Sequence, residues 1–148
     1  MPQDETPLAT LPPAVRAFVQ SHRLPSDAVR PEGRVVLNID QRWRVHLVST
    51  AHMRVALQCE LMALPEPTDR RTDDALLRLA KVAANLLQRR ASSLAIDPRR
   101  RALVLQQLVS ASATLADLEE ALADFSNALE FWSRMCRNEP AQHIGIHP

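Results

Sequence analysis

The sequence predicts an α+β fold in which helices pack against one antiparallel sheet. Apolar residues recur with a helical period in three segments and alternate with polar residues in three others, and two further short segments predict a hairpin. The order is helix-strand-strand-strand-helix-strand-strand-helix. The links between the first three strands are too short for a crossover helix, so these strands must be antiparallel. A chain of 148 residues, 46% of them apolar, can bury one core, which predicts a single domain over residues 12–137.

The first predicted helix follows a polar, proline-rich segment. Residues 1–11 have no apolar period, and we expect them to form a flexible N-terminus. Thr10 before Pro12 and Pro13 suits an N-cap and a first turn, and the helix should end near His22. Its apolar side is one narrow stripe formed by Ala14, Val15, Phe18 and Val19.

Three strands come next. Their apolar positions share a period of two and are Val35, Leu37 and Ile39 in the first, Trp43, Val45 and Leu47 in the second, and Met53, Val55, Leu57, Cys59 and Leu61 in the third. Because the links near residues 40–41 and 49–52 are short, we expect a three-stranded meander. It should end at Pro65 and Pro67, which do not suit the interior of a sheet.

The second predicted helix is apolar over more of its surface than one sheet face can cover. It runs from residue 72 or 73 to residue 90, with acidic residues first and arginines last, as the helix dipole favours. Ten of the fifteen residues from 75 to 89 are apolar, and the polar ones form one thin stripe: Arg78, Lys81, Asn85 and Gln88. The wide apolar arc predicts that a symmetric partner packs against this helix.

A hairpin and a final helix complete the domain. The hairpin joins residues 93–97 to residues 102–109, and the helix starts at Thr114, where T-L-A-D is close to a capping box. Its apolar residues alternate steps of three and four: Leu115, Leu118, Leu122, Phe125, Leu129, Trp132 and Cys136. This stripe fits a coiled-coil seam or packing on the chain's own sheet, and packing is favoured for a helix of three heptads. Residues 138–148 lack a period and predict a disordered tail.

The composition argues against a catalytic or cofactor site. Only two glycines occur, Gly33 and Gly145, whereas phosphate-binding loops and nucleophile elbows need at least two close together. The spacing of His46 and His52 matches no metal motif, so we expect no metal, no cofactor and no enzymatic activity. An acidic N-terminus and the lack of a long apolar run predict a cytosolic protein without membrane insertion.

Two alternatives use residues outside the apolar pattern. A small dimeric nucleic-acid-binding protein would use the arginine-rich turn at residues 99–101 together with Arg42, Arg44 and Arg54 on a sheet face. The net charge of +1 offers little counterion release, so we expect no nucleic-acid partner. A thiol hydrolase would need His46 beside Cys59, whose position in its strand instead predicts a buried, inert thiol.

Two segments resemble a known family. The order of elements, the helix that needs a partner, and the segments LLRLAKVAANLLQRRASSLAID and LVLQQLVSASATLADLEEALADFSNALEFW are similar to the class I type III secretion chaperones, the Tir chaperone (CesT-like) family. The first segment is similar to a leucine-rich helix followed by a short apolar strand. The second is similar to the family's last strand and last helix. The resemblance covers about residues 12–137.

The resemblance implies a homodimer in the bacterial cytosol. Such a chaperone binds the N-terminal chaperone-binding segment of a secreted effector and keeps it stable, extended and secretion-competent without ATP. The ATPase of the secretion apparatus is a further candidate partner. Members are usually acidic, whereas this chain has a pI of about 7.9.

The resemblance also implies two sets of binding residues. The dimer interface falls on the second helix and fourth strand, at Leu76, Leu79, Ala80, Ala83, Leu86, Leu87, Leu94 and Ile96. The effector groove falls on the first helix and the sheet, at Val15, Phe18, Val19, Val36, Trp43 and Val48.

Overall fold

Five strands form one antiparallel sheet in the order β1-β2-β3-β5-β4. The structure is a computed structural model that describes residues 6–65, 69–86 and 91–145, with side chains from residue 8 to residue 137. The strands are β1 (Val35–Ile39), β2 (Trp43–Ser49), β3 (Val55–Ala63), β4 (Ser92–Asp97) and β5 (Ala102–Val109). The helices are α1 (Thr6–Ala9), α2 (Pro13–Ser21), α3 (Arg70–Leu86) and α4 (Leu115–Gly145). The predicted α+β class, the meander and the hairpin are confirmed.

Short turns set the register of the meander. Residues 40–42 connect β1 to β2, and the Arg42 N–H donates to the Ile39 carbonyl at 3.0 Å. Asp40 and Gln41 have φ angles of 53° and 56°, which is the left-handed pair typical of a tight hairpin turn. The pairing places Leu37 opposite Val45 on one face, and it places Val36 opposite His46 on the other. A shift of one residue would exchange the two faces, so the alternation seen in the sequence specifies this register.

The two faces of the sheet differ in what covers them. Side chains of the inner face and of all four helices form one hydrophobic cluster, and α4 lies across β3 and β5. Its most buried strand residues are Val35, Val45, Leu47, Leu57 and Leu105. Along each strand, outer-face residues alternate with inner-face residues, and the outer-face residues do not belong to the hydrophobic cluster. The central residues of the outer face are Val36, His46, Val48, Ala56, Gln58, Val104, Gln106 and Leu108.

The last helix is the main element of the core. Its start is the predicted capping box, because the Thr114 N–H donates to Asp117 Oδ2 at 3.0 Å and the Asp117 N–H donates to Thr114 Oγ1 at 3.1 Å. Phe125 and Leu129 are fully buried against the sheet. The predicted heptad stripe therefore packs on the chain's own core.

The described residues include helical backbone within both predicted chain ends. Residues 1–11 were expected to be flexible, but residues 6–9 form a helical turn and the side chain of Leu11 is 1% exposed. Leu8 and Leu11, three residues apart, pack against the core, and the prolines around them obscured that spacing in the sequence. The disordered tail from residue 138 stays a prediction, and the backbone of α4 is helical as far as residue 145. Residues 1–5 and 146–148 lie outside the described residues.

The second predicted helix begins earlier than the sequence indicated. The Thr72 N–H donates to Asp69 Oδ1 at 2.7 Å, which caps the first turn and places the start at Arg70. Hydrogen bonds from Thr72 lower the pKa of Asp69. The predicted end at residue 90 lies outside the described residues.

Candidate functional site

The first candidate surface is an apolar groove between α3 and β4. Within the described part of α3, Leu79 is the one buried residue, and Ile96 on β4 is 55% exposed. The groove has a volume of about 460 Å³. It is lined by seven of the predicted dimer residues: Leu76, Leu79, Ala80, Ala83, Leu86, Leu94 and Ile96. The eighth, Leu87, lies outside the described residues.

Small side chains shape this groove. Ala80, Ala83 and Ala84 line its α3 side, so an approaching element can come close to the helix backbone. Trp132 of α4 and Leu103 of β5 form part of the lining as well, and both are buried. The groove is thus continuous with the hydrophobic core and open to solvent. We refer to it as the α3–β4 groove.

The predicted effector residues on α2 belong to the core. Val15, Phe18 and Val19 are between 2% and 8% exposed because the apolar stripe of α2 faces α4 and the sheet. Trp43 is buried on the inner face, where its indole Nε1–H donates to Ser133 Oγ at 3.0 Å. These four side chains therefore belong to the chain's own core, and their role in effector binding stays a prediction.

The other two predicted effector residues lie on the outer face. Val36 is 8% exposed and Val48 is half-buried. Val48 pairs with Ala56, which pairs with Leu108, and Leu108 is 60% exposed. We call Val48, Ala56 and Leu108 the apolar row. Leu108 is an apolar residue at an outward position of β5, but it was not among the effector residues predicted from the sequence.

The predicted arginine patch is divided between two sides of the protein. The Arg42 guanidinium lies 4.3 Å from the centre of the Trp43 ring and donates to Glu130 Oε2 at 3.1 Å, which joins the β1–β2 turn to α4. Arg44 occupies an outward position of β2. Because Arg42 is paired on the helical side, it does not contribute to a basic sheet face.

The proposed nucleophile pair is also separated. His46 pairs with Gln58 on the outer face, whereas Cys59 is 3% exposed within the inner cluster. Burial, with a smaller effect of Glu60, raises the pKa of the Cys59 thiol to about 11. A protonated thiol on the opposite face from the histidine is not an activated nucleophile.

Among the described residues, no helix is both long and apolar enough to cross a membrane.

Comparison with known proteins gives a family match and several similar folds. Residues 14–133 match the model of the Tir chaperone protein (CesT) family. The ExsC–ExsE complex contains a chain with 24% identity and a TM-score of 0.60, over 79% of this chain and 86% of that one. The HopA1–SchA chaperone-effector complex contains a chain with 16% identity and a TM-score of 0.60, over 90% of this chain and 98% of that one. The structure of the Yersinia pestis type III secretion chaperone SycH, solved with a fragment of YscM2, has 15% identity and a TM-score of 0.54, over 81% of this chain and 97% of that one. No curated protein sequence matches the chain.

The burial of α2 leads to a stability prediction. Replacing Phe18 with alanine should lower the free energy of unfolding by about 3–5 kcal/mol, because it leaves a cavity beneath the helix. Gln20→Ala, on the exposed side of the same helix, should change it by less than about 0.5 kcal/mol. Denaturant unfolding of both variants measures the difference. Equal midpoints would contradict the core assignment of Phe18.

Proposed function

Since the chain belongs to the Tir chaperone protein (CesT) family, we propose that it is a type III secretion chaperone for a cognate effector. It binds the effector's N-terminal chaperone-binding segment in the bacterial cytosol and keeps that segment extended and secretion-competent without ATP. The family match over residues 14–133 supports this function. The similarity in fold to proteins solved with ExsE, with HopA1 and with a YscM2 fragment is consistent with it.

The observation that carries the proposal is the α3–β4 groove, which we assign to a second copy of this chain. Seven residues that the resemblance implied for a dimer line one open apolar surface. A two-fold interface brings the same patch of both copies together, so each groove would cover the other. Burying Leu76, Leu94 and Ile96 in this way removes apolar side chains from water. Leu87 remains a predicted member of the interface.

A charge in the groove should break the dimer. Ala83→Glu places a carboxylate against apolar side chains of the second copy, where an unpaired charge costs several kcal/mol. Sedimentation should report a monomer or an aggregate. Asn85→Glu adds the same charge on the polar stripe of α3, where residue 85 is exposed, and should remain dimeric. An unchanged Ala83→Glu dimer would place the interface elsewhere.

The outer face is the remaining candidate for the effector. The α2 side chains are used in the core, whereas the apolar row offers Leu108 to solvent, with Ala56 between it and Val48. An extended segment laid on this face would present every second side chain to the sheet. A disordered ligand loses conformational entropy when it binds, so a long contact across the face is required.

Effector binding should depend on the apolar row. Leu108→Glu should reduce capture of the effector about tenfold or more, since about 1.4 kcal/mol of lost contact is a factor of ten. Ala123→Glu, at an exposed position of α4, is the matched control and should capture normally. The measurement is a pull-down from the source bacterium, quantified by mass spectrometry and followed by proteolysis of the captured complex.

The digestion pattern decides the function. A captured secreted protein whose N-terminal segment is protected from protease supports the proposal. Capture without such protection would contradict it. Equal capture by Leu108→Glu and Ala123→Glu would move the effector site away from the outer face.

A further inference from the structure

A second feature of the outer face is a polar cleft around His46. The cleft has a volume of about 250 Å³ and lies between the outer face and the turn after β4. Its lining includes His46, Gln58, Ala95, Arg100, Val104 and Gln106, with Glu60 and Asp97 also contributing. We call it the His46 cleft. Neither the family resemblance nor the apolar pattern pointed to it.

The register builds a row of polar side chains across four strands. His46 pairs with Gln58, Gln58 pairs with Gln106, and Gln106 pairs with Ser93. Directly opposed residues share a face of an antiparallel sheet, so the imidazole, two amides and a hydroxyl group belong to one side. Amide and hydroxyl groups are hydrogen-bond donors to carboxylates.

Arg100 lines the cleft, and three more guanidinium groups act electrostatically on its histidine. Burial lowers the pKa of His46 to about 4, with smaller effects of Arg34, Arg100, Arg44 and Arg30. The buried atoms His46 Nδ1, Arg30 Nε and Arg34 Nε have no hydrogen-bond partner within the described part of the chain. Buried polar atoms of this kind are costly until a partner is supplied.

The carboxylates near the cleft leave a small positive excess. Glu32 pairs with Arg34 at 3.1 Å. Asp97 Oδ1 accepts from the backbone N–H groups of Arg99 and Arg100, and its Oδ2 lies 3.9 Å from Arg100 Nε. Glu60 and Asp97 line the cleft with Arg100, so with Glu32 three carboxylates are set against the four guanidinium groups that act on His46. One excess positive charge matches one carboxylate and not a chain of phosphates.

The spacing between the cleft and the apolar row matches an extended peptide. His46 and Val48 are two residues apart on β2, as are Gln58 and Ala56 on β3, and Gln106 and Leu108 on β5. A two-residue step along a strand is about 6.6–6.8 Å, which is also the distance between alternate side chains of an extended ligand. A segment that lies along the strands therefore places residues i and i+2 over the two rows.

We propose that the His46 cleft binds one aspartate or glutamate side chain of an extended segment whose apolar side chain, two residues away, contacts the apolar row. The inference rests on the proposed function, because the segment belongs to the bound effector. It adds a rule of selection: the segment carries an apolar residue and an acidic residue at positions i and i+2. Charge-assisted hydrogen bonds from arginine to the carboxylate supply the preference.

The test uses the full-length chain and synthetic peptides long enough to cross the outer face. One peptide carries leucine and glutamate two residues apart among threonines, and the others replace the glutamate with glutamine or lysine. In calorimetric titrations at low salt, the glutamate peptide should bind about tenfold more tightly than the glutamine peptide. Arg100→Gln should remove this difference. Arg137→Gln deletes the same charge at an exposed position of α4 and should retain it.

The histidine supplies an independent readout. Burial, and after it the nearby arginines, lower the pKa of His46 to about 4. Either peptide buries the imidazole, but only a carboxylate favours its protonated form, so the pKa followed by NMR should be higher with the glutamate peptide bound than with the glutamine peptide bound. Equal affinity for both peptides, no binding of any peptide with an unmoved pKa, or an equal loss in both arginine variants would overturn the inference.

Two further outcomes separate this inference from neighbouring ones. A single-stranded oligonucleotide that binds more tightly than the glutamate peptide, with a steep salt dependence, would assign the cleft to phosphate instead. If the peptides show no preference while effector capture still depends on Leu108, the carboxylate site fails and the chaperone function stands. If capture also fails, both proposals fall.

Discussion

The structure depends on one constraint: a five-stranded sheet has two faces, and the described helices cover one of them. The inner face and the helices share a single hydrophobic cluster, in which Leu57, Leu105, Phe125 and Leu129 are fully buried. Burial of these side chains is the main favourable term that the fold has available. The α3–β4 groove, the apolar row and the His46 cleft consist of apolar and charged side chains that remain accessible after that cluster has formed.

The alternating pattern explains why the fold was predictable from the sequence. Period-two runs specify which residues of each strand share a face, and short links specify antiparallel pairing, so the meander and the hairpin followed directly. The capping box at Thr114 is a local signal with a local partner, Asp117, and it was equally readable. These features require no knowledge of what lies beyond the neighbouring residues in the chain.

The site was less predictable because a stripe of apolar residues does not say what covers it. The sequence shows a narrow apolar stripe on α2 and a wide one on α3, but it does not show which residues of either are covered: Phe18 is 8% exposed whereas Leu77 is 57% exposed. The difference comes from α4, which packs against α2 and leaves much of α3 open. Likewise, Arg42 and Arg44 are arginines two residues apart, but Arg42 precedes β2 and donates a hydrogen bond to Glu130 of α4. Such outcomes depend on contacts between residues about ninety positions apart and are absent from local periodicity.

The two open surfaces differ in a way that suits two kinds of partner. The α3–β4 groove is lined by leucine and alanine and continues into the core, as expected for an interface that persists throughout the life of the protein. The outer face combines an apolar row with amides, arginines and a neutral histidine. A segment that must be released needs lower affinity per unit area, and ordering a disordered ligand provides that reduction. Polar groups beside the apolar row then supply selection without adding the apolar burial that would make release slow.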